Sequence, residues 1–287
     1  MCRLFGLTAG PTRVSATFWL LGASDSLEVQ SERNPDGTGL GTYDERGLPL
    51  LERQPLAAHD DAQFVREARD RRSTTFLSHV RYATTGPTQT QNCHPFLIDG
   101  RFHAHNGVIR EVERLEEHLG EAMRTVHGDT DSERYAALVA LEARRHGGDV
   151  SAGITAAASW VAQNLPVYSI NLLVTSENEL WALRHGDSHP LLVLDRREPP
   201  AGTTAVHHRG SGDGIQMRST HLATAPSVVV ATEAMDEDDW SPLAPGELLH
   251  VDPDLGLTRE VVIPELPRHQ LTLEDLGIHE AAAQAPQ

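Results

Sequence analysis

Only two of the 287 residues are cysteine, Cys2 and Cys93. At most one disulfide can form, so a disulfide framework is excluded, and a reducing compartment disfavours even that one. Basic residues are scarce: 24 Lys and Arg stand against 41 Asp and Glu, a formal charge of −17. A surface that acidic repels phosphate backbones and anionic lipid, which sets aside nucleic acid and membrane as partners. No apolar run approaches the roughly 20 residues that span a bilayer. The start, MCRLFGLTAGPTR, lacks the basic-then-apolar layout of a secretory signal, so a cytoplasmic protein is expected. There is no internal repeat and no Pro- or Ser-rich linker. What is present, 39% apolar and 23% charged residues, fits a packed core rather than a disordered chain. One domain is expected over 1–263, with its motifs in 2–150. Residues 264–287 are expected to be a partly flexible extension, the last eight fraying.

Alternation and turn chemistry dominate the pattern. CRLFGLTA (2–9) reads as a strand that starts at the terminus. NPDGTGLG (34–41) marks a tight reversal into the strand TGLGTY, with LPLLERQPL as its hairpin partner. TTFLSHVRY (74–82) alternates as a strand, and PFLIDGRFHAHNG (95–107) reads as a second hairpin. Apolar spacing predicts a helix within 60–72 capped by Asp60 or Asp61, then helices over 110–120, 131–146 and 151–164. Strand patterns follow in VYSINLLVTS, ELWALRHG, PLLVLD, STHLATA, SVVVATEA, ELLHVD and LTREVVI. Between them, 201–220 reads as a mobile loop or an extended hairpin. Strands, then helices, then strands, without βα alternation, predict an α+β fold with helices on the outer faces of its sheets.

Four short segments carry chemistry. A cysteine at position 2 is small enough for Met1 to be removed, which leaves one residue with a thiol and a free α-amine. Their reference pKa values, about 8.5 and about 7.7–8.0, let the amine take the thiol proton near neutrality. In HVRYATTG (79–86), Arg81 offers a planar fork for a carboxylate, and Thr84 or Thr85 can donate a further hydrogen bond. Gly86 allows the next loop a sharp turn. In HAHNG (103–107), the Asn106 amide beside the unobstructed N–H of Gly107 suits an oxyanion hole, although Asn-Gly is also the commonest hairpin turn. His103 and His105 match no zinc spacing and read as satisfied core histidines or as histidines that support site residues from behind. GDTDSE (128–133) opens a helix that Asp129 or Thr130 could cap: Asp129 is favoured as the cap, and Asp131 is read as a receptor for a substrate ammonium.

Together Cys2, HVRYATTG, NCHPF (92–96), HNG (105–107) and DTDSE resemble the glutaminase domain of class II glutamine amidotransferases, a branch of the N-terminal nucleophile hydrolases. The resemblance spans residues 2 to about 133. It implies a four-layer αββα sandwich, Cys2 as nucleophile with its α-amine as base, and Asn106 with Gly107 as the oxyanion hole. It further implies Arg81 and Thr84 on the substrate α-carboxylate, Asp131 on its α-ammonium, and a loop after Arg81 that closes over glutamine. No cofactor and no metal are implied. Thr85 stands where many members have histidine and Tyr82 where they have tryptophan. That is more similar to the stand-alone members, including the γ-glutamyl hydrolase of ergothioneine biosynthesis. ATEAMDEDDW (231–240) resembles a late segment of those proteins. Cys93 sits where alanine is usual and reads as a small buried substitution.

The expected reaction is cleavage of the γ-amide of glutamine or a γ-glutamyl compound through a thioester on Cys2. After residue 150 there is little room for a second catalytic domain. RGSGDG (209–214) does not sit between a strand and a helix as a phosphate-cradling loop would. A self-contained amidohydrolase is therefore expected ahead of a glutaminase subunit that delivers ammonia to a separate synthase. Two other classes stand beside it. One is a metal-dependent hydrolase using His94, His103, His105 and Asp131; the other is a non-catalytic binding module of the same fold.

Overall fold

The computed structural model describes residues 2–83, 85–186, 189–198, 206–207, 218–219 and 225–284. Its frame is two antiparallel sheets laid face to face. The first runs β13 (Ser241–Pro242), β9 (Leu192–Arg196), β12 (Ser227–Ala231), β1 (Arg3–Thr8), β4 (Thr75–Arg81), β2 (Gly37–Tyr43) and β3 (Pro49–Gln54). The second runs β15 (Leu257–Val261), β14 (Glu247–Val251), β8 (Leu180–Arg184), β7 (Pro166–Thr175), β6 (Arg101–Ile109) and β5 (Phe96–Ile98). A two-residue strand, β16 (His269–Gln270), joins β7 in parallel.

The period-two alternation of each strand assigns its side chains to the layers. In β1, Leu4 turns into the gap between the sheets, where it meets Leu77, Phe102, Ala104 and Leu173. Phe5 and Leu7 turn outward and pack with Phe76 against a π-helical turn over Phe18–Gly22 and α2 (Ala62–Asp70). On the far side, Ile109, Ile170, Leu172 and Val174 of the second sheet pack against α3 (Val112–Leu119), α4 (Asp131–Arg145) and α5 (Val150–Asn164). Each fully buried Leu, Ile or Phe contributes about 1.5–3 kcal/mol, so both sheets are held on two faces. The layering is the expected αββα sandwich.

Local expectations fare unevenly. Asp61 caps α2 through Gln63 N–H, and β5 and β6 form the expected hairpin. Asp129 does not cap α4, which corrects the reading of GDTDSE: Thr130 Oγ1 accepts from Glu133 N–H at 3.2 Å, while Asp129 accepts from Asn92. β6 does not close at Asn106–Gly107 but continues to Ile109, so this Asn-Gly is not a turn. The turn over 18–22 and the short α1 (Leu27–Gln30) have no counterpart in the sequence reading. Residues 280–284, among the last eight expected to fray, belong to α6 (Ile278–Gln284), and Gln284 Oε1 lies 2.6 Å from His189 Nε2. β10 (Val206–His207) pairs antiparallel with β11 (Arg218–Ser219), as an extended hairpin requires. The rest of 201–220 lies outside the described residues, as does most of STHLATA. No helix among the described residues is long and apolar enough to cross a membrane.

Candidate active site

The site forms where the gap between the sheets ends. Cys2 precedes β1 and shares the inward parity of Leu4. His79 and Arg81 of β4 share the inward parity of Leu77, and Asn106 of β6 that of Ala104. Three strands thus deliver a thiol, a guanidinium and a carboxamide to one place. Cys2, Arg81, Tyr82, Thr85, His94, His105, Gly107 and residues 130–132 line a cleft with about 300 Å³ of empty space, its open mouth included.

The sulfur touches backbone rather than a base. Tyr82 N–H donates to Cys2 Sγ at 3.2 Å, and the thiol donates to Tyr82 O at 3.4 Å. Burial pushes the thiol pKa up; the Tyr82 backbone bond, the charge of the chain's amino terminus, Arg81 and Arg3 oppose it. A thiol held up in this way rests protonated at neutral pH, so attack requires a base. Among the described residues no imidazole is hydrogen-bonded to it.

Asn106 is 1% exposed, and its Nδ2 donates to the Cys2 carbonyl oxygen at 3.1 Å. That bond uses one of two amide hydrogens and ties the carboxamide to the nucleophile's own residue. Its Oδ1 has no hydrogen-bond partner among the described residues. Gly107 adopts φ +155°, and a side chain there would overlap the Ser169 carbonyl. Glycine at this position is a steric requirement of β6 lying against β7.

Arg81 projects over the loop that follows it. Its guanidinium donates to Thr85 O at 2.6 Å, Gly86 O at 3.2 Å and Pro87 O at 3.2 Å. Five N–H donors are available, so the fork keeps capacity for a carboxylate. Gly86 turns the loop at φ +70°. Asp131, the first residue of α4, accepts from Ile109 N–H at 2.8 Å and from Thr85 Oγ1 at 3.1 Å. Sitting in the first helical turn, its negative charge is also favoured by the helix dipole. Thr84 lies outside the described residues; of the two threonines weighed, the one seen on the cleft is Thr85.

The sequence reading missed several supports. Asp36 accepts Ala83 N–H at 2.8 Å and pins the loop's start. Asn92 donates to Pro87 O at 3.0 Å and pins its return. The Tyr82 backbone flanking the sulfur was also missed. Only Asn92 had a signal, its place in NCHPF; the other two act through local geometry. Cys93 is buried and unpaired, its sulfur against the carbonyls of Gln54 and Gln89.

The histidines under the cleft are neutral. His79 and His94 pack with ring centroids 4.1 Å apart. Burial, with Arg81 adding to it, lowers His79 to about 3; burial lowers His103 to about 4. In the unfolded chain a histidine takes its proton near pH 6.5. Between that value and the folded ones the unfolded state binds more protons, so stability falls as pH drops below about 6.5. The slope is about 1.4 kcal/mol per pH unit for each such histidine. Urea midpoints should fall from pH 7 to pH 5, and His103→Leu should flatten the slope. Equal midpoints at the two pH values would contradict the neutral assignment. His105, by contrast with His103, is hydrogen-bonded, as a satisfied histidine would be. Among the described residues no three His, Cys, Asp or Glu side chains converge to hold a metal ion.

Comparison with known proteins finds relatives of the chain. A family model, glutamine amidotransferases class-II, matches residues 1–270. A glutamine–fructose-6-phosphate aminotransferase (isomerizing) of Lactiplantibacillus plantarum is 26% identical over 88% of the chain and 36% of its own length. An uncharacterized protein of Methanocaldococcus jannaschii is 24% identical over 87% of the chain and 68% of its own. The chain thus spans about a third of the aminotransferase. Among solved structures, a glutamine aminotransferase class-II domain protein from Silicibacter pomeroyi superposes with TM-score 0.60 at 21% identity. That match covers 90% of this chain and 98% of the other. The glutamine phosphoribosylpyrophosphate amidotransferase of B. subtilis gives TM-score 0.63 at 19% identity, over 92% and 50%.

Proposed function

The chain belongs to the class II glutamine amidotransferases, and from that premise we propose that it is a cysteine amidohydrolase acting on the γ-amide of glutamine or a γ-glutamyl compound. Met1 is removed, and the α-amine of Cys2 takes the thiol proton. The thiolate attacks the γ-carbonyl carbon, and the oxyanion forms against Asn106 Nδ2–H and Gly107 N–H. The C–N bond breaks as the α-ammonium returns its proton to the leaving nitrogen, so ammonia or an amine departs. A γ-glutamyl thioester remains on Cys2. Water, deprotonated by the same amine, cleaves it to the free γ-carboxylate and regenerates the thiol. Arg81, with Thr84, holds the α-carboxylate, and Asp131 holds the α-ammonium. No cofactor takes part.

The observation that carries this reading is the sulfur's surroundings. Its hydrogen-bond partners are the Tyr82 N–H and carbonyl, while Asn106 is bonded to the same residue's carbonyl. A thiol raised by burial, with no side-chain base on it among the described residues, takes its base from its own backbone. Asn106→Ala should lower glutamate release about a hundred- to a thousandfold with little change in melting temperature. Activity within a few fold of wild type would remove Asn106 from the oxyanion hole.

A second reading has one observation in its favour. The aminotransferase relative is nearly three times as long as the segment it shares with this chain. The chain would then be a glutaminase that delivers ammonia to a separate synthase. Glutamate release by the purified chain alone separates the two. Strong turnover favours the hydrolase, and near-silence relieved by a partner favours the subunit.

A further inference from the structure

A run of hydrogen bonds beside the cleft has no part in the steps above. His105 neighbours Asn106 on β6, and its Nε2 lies 3.3 Å from the Ser169 carbonyl oxygen. A carbonyl only accepts, so Nε2 carries a hydrogen. The neutral ring then offers Nδ1 as an acceptor, and Ser132 Oγ–H donates into it at 2.9 Å. The same Ser132 oxygen lies 3.5 Å from Asp131 Oδ1. One hydroxyl hydrogen cannot serve both acceptors. On Asp131, Oδ2 takes Ile109 N–H and Oδ1 takes the Thr85 hydroxyl. Each carboxylate oxygen thus keeps one lone pair for an incoming N–H, and the one on Oδ1 is within reach of Ser132 Oγ.

We propose that His105 and Ser132 are positioning residues that keep Asp131 open to the substrate's α-ammonium, and that a proton on His105 closes it. The inference rests on Asp131 as the ammonium receptor. When a solvent proton reaches Nδ1, the ring becomes a donor on both nitrogens. Nδ1–H then donates to Ser132 Oγ, and the hydroxyl hydrogen turns onto Asp131 Oδ1. No covalent bond other than the new N–H changes. The substrate ammonium then competes with an internal donor on Oδ1. His105 also supports the other end of the site: a Cβ on Gly107 would come 3.0 Å from its Nε2. One imidazole therefore spans the oxyanion strand and the ammonium receptor.

The groups that face His105 are Asp131 and Tyr135 of α4, with His79 of β4 and His94 ahead of β5. Burial holds its pKa below the usual range, and Asp131 pulls the other way. Tyr135 is pushed upward by burial and stays neutral. His79 and His94 are held neutral by their own burial. His105 is thus the imidazole of this group with a carboxylate drawing a proton toward it.

Binding without turnover isolates the effect. In Cys2→Ala protein, the Kd for glutamine is measured by calorimetry at about pH 7 and pH 5, a window in which glutamine's own α-groups keep their charges. The Kd should weaken at the lower pH, approaching about tenfold once His105 is fully protonated, the effect of one hydrogen bond to a charged group exchanged for another. In Cys2→Ala/Ser132→Ala, which has no hydroxyl to turn, the two values should agree within about twofold. Cys2→Ala/Ser132→Thr should restore the dependence. A Ser132→Ala protein that keeps the full pH effect, or whose Kd shifts by one factor at both pH values without flattening, overturns the relay. Glutamine binding absent from Cys2→Ala at both pH values would instead remove the receptor assignment of Asp131, and the relay with it.

Discussion

Cys2→Ala protein should fold and melt close to the wild type but release no glutamate above background. The sulfur makes only weak hydrogen bonds to the Tyr82 backbone, so their loss costs about 1 kcal/mol of stability. Chemistry should lose far more, because on the proposed mechanism nucleophile and base reside in one residue, and among the described residues no imidazole is hydrogen-bonded to the sulfur. Turnover should fall by about four orders of magnitude or more, the scale seen when a covalent nucleophile is deleted. A chain carrying an uncleaved residue ahead of Cys2 should be nearly as inactive, although its thiol is intact. This comparison separates a backbone amine from any side-chain base: a base elsewhere would leave the blocked protein active.

Gly107→Ala has the largest expected effect on the fold itself. Its Cβ would overlap the Ser169 carbonyl oxygen and carbon on β7, atoms of a paired strand that cannot rotate away. The residue also holds φ +155°, which L side chains rarely adopt. Overpacking against backbone in the centre of the second sheet should cost about 3 kcal/mol or more. Any folded fraction would have the residue 107 N–H displaced from the oxyanion and should be inactive. Gly100→Ala is the control. Its φ is +74°, but a Cβ there meets nothing within 4 Å, so backbone strain alone should cost about 1–2 kcal/mol. Denaturant unfolding of the two variants checks the difference, and equal losses would refute the steric account of Gly107.

The strands were readable because each alternates, with turn residues at its ends; β2, β3, β4, β5 and β6 all begin within a few residues of their expected places. The helices α4 and α5 were readable from their apolar spacing. The stretch FWLLG was not. Five buried residues in a row have no periodicity, and the π-helical turn they adopt is set by packing on Phe5, Leu7 and Phe76. β13 and β16 are two residues long, too short for any pattern.

At the site, residue types were legible and their partners were not. Arginine, asparagine and aspartate announce what they can bind, but hydrogen-bond partners depend on where a strand stops. Asn106 lies inside β6 because the ladder to β7 runs on past it. Thr130 outcompetes Asp129 as a cap because Asp129 is drawn to Asn92, 37 residues away in the chain. The role of Tyr82 belongs to its backbone, which any residue there would supply, and the Asp36 carboxylate takes a backbone N–H that any residue at position 83 but proline would offer. The same contacts bring the Thr85 hydroxyl onto Asp131 at 3.1 Å, a pairing that sequence order does not suggest.

Rapid acid quenching during glutamine turnover, followed by intact-mass and fragment analysis, reaches the centre of the account. The trapped species should lack the initiator methionine and carry one γ-glutamyl group as a thioester at the amino-terminal cysteine. A chain that retains Met1 yet turns over at full rate, or an acyl group found on any other side chain, would contradict it.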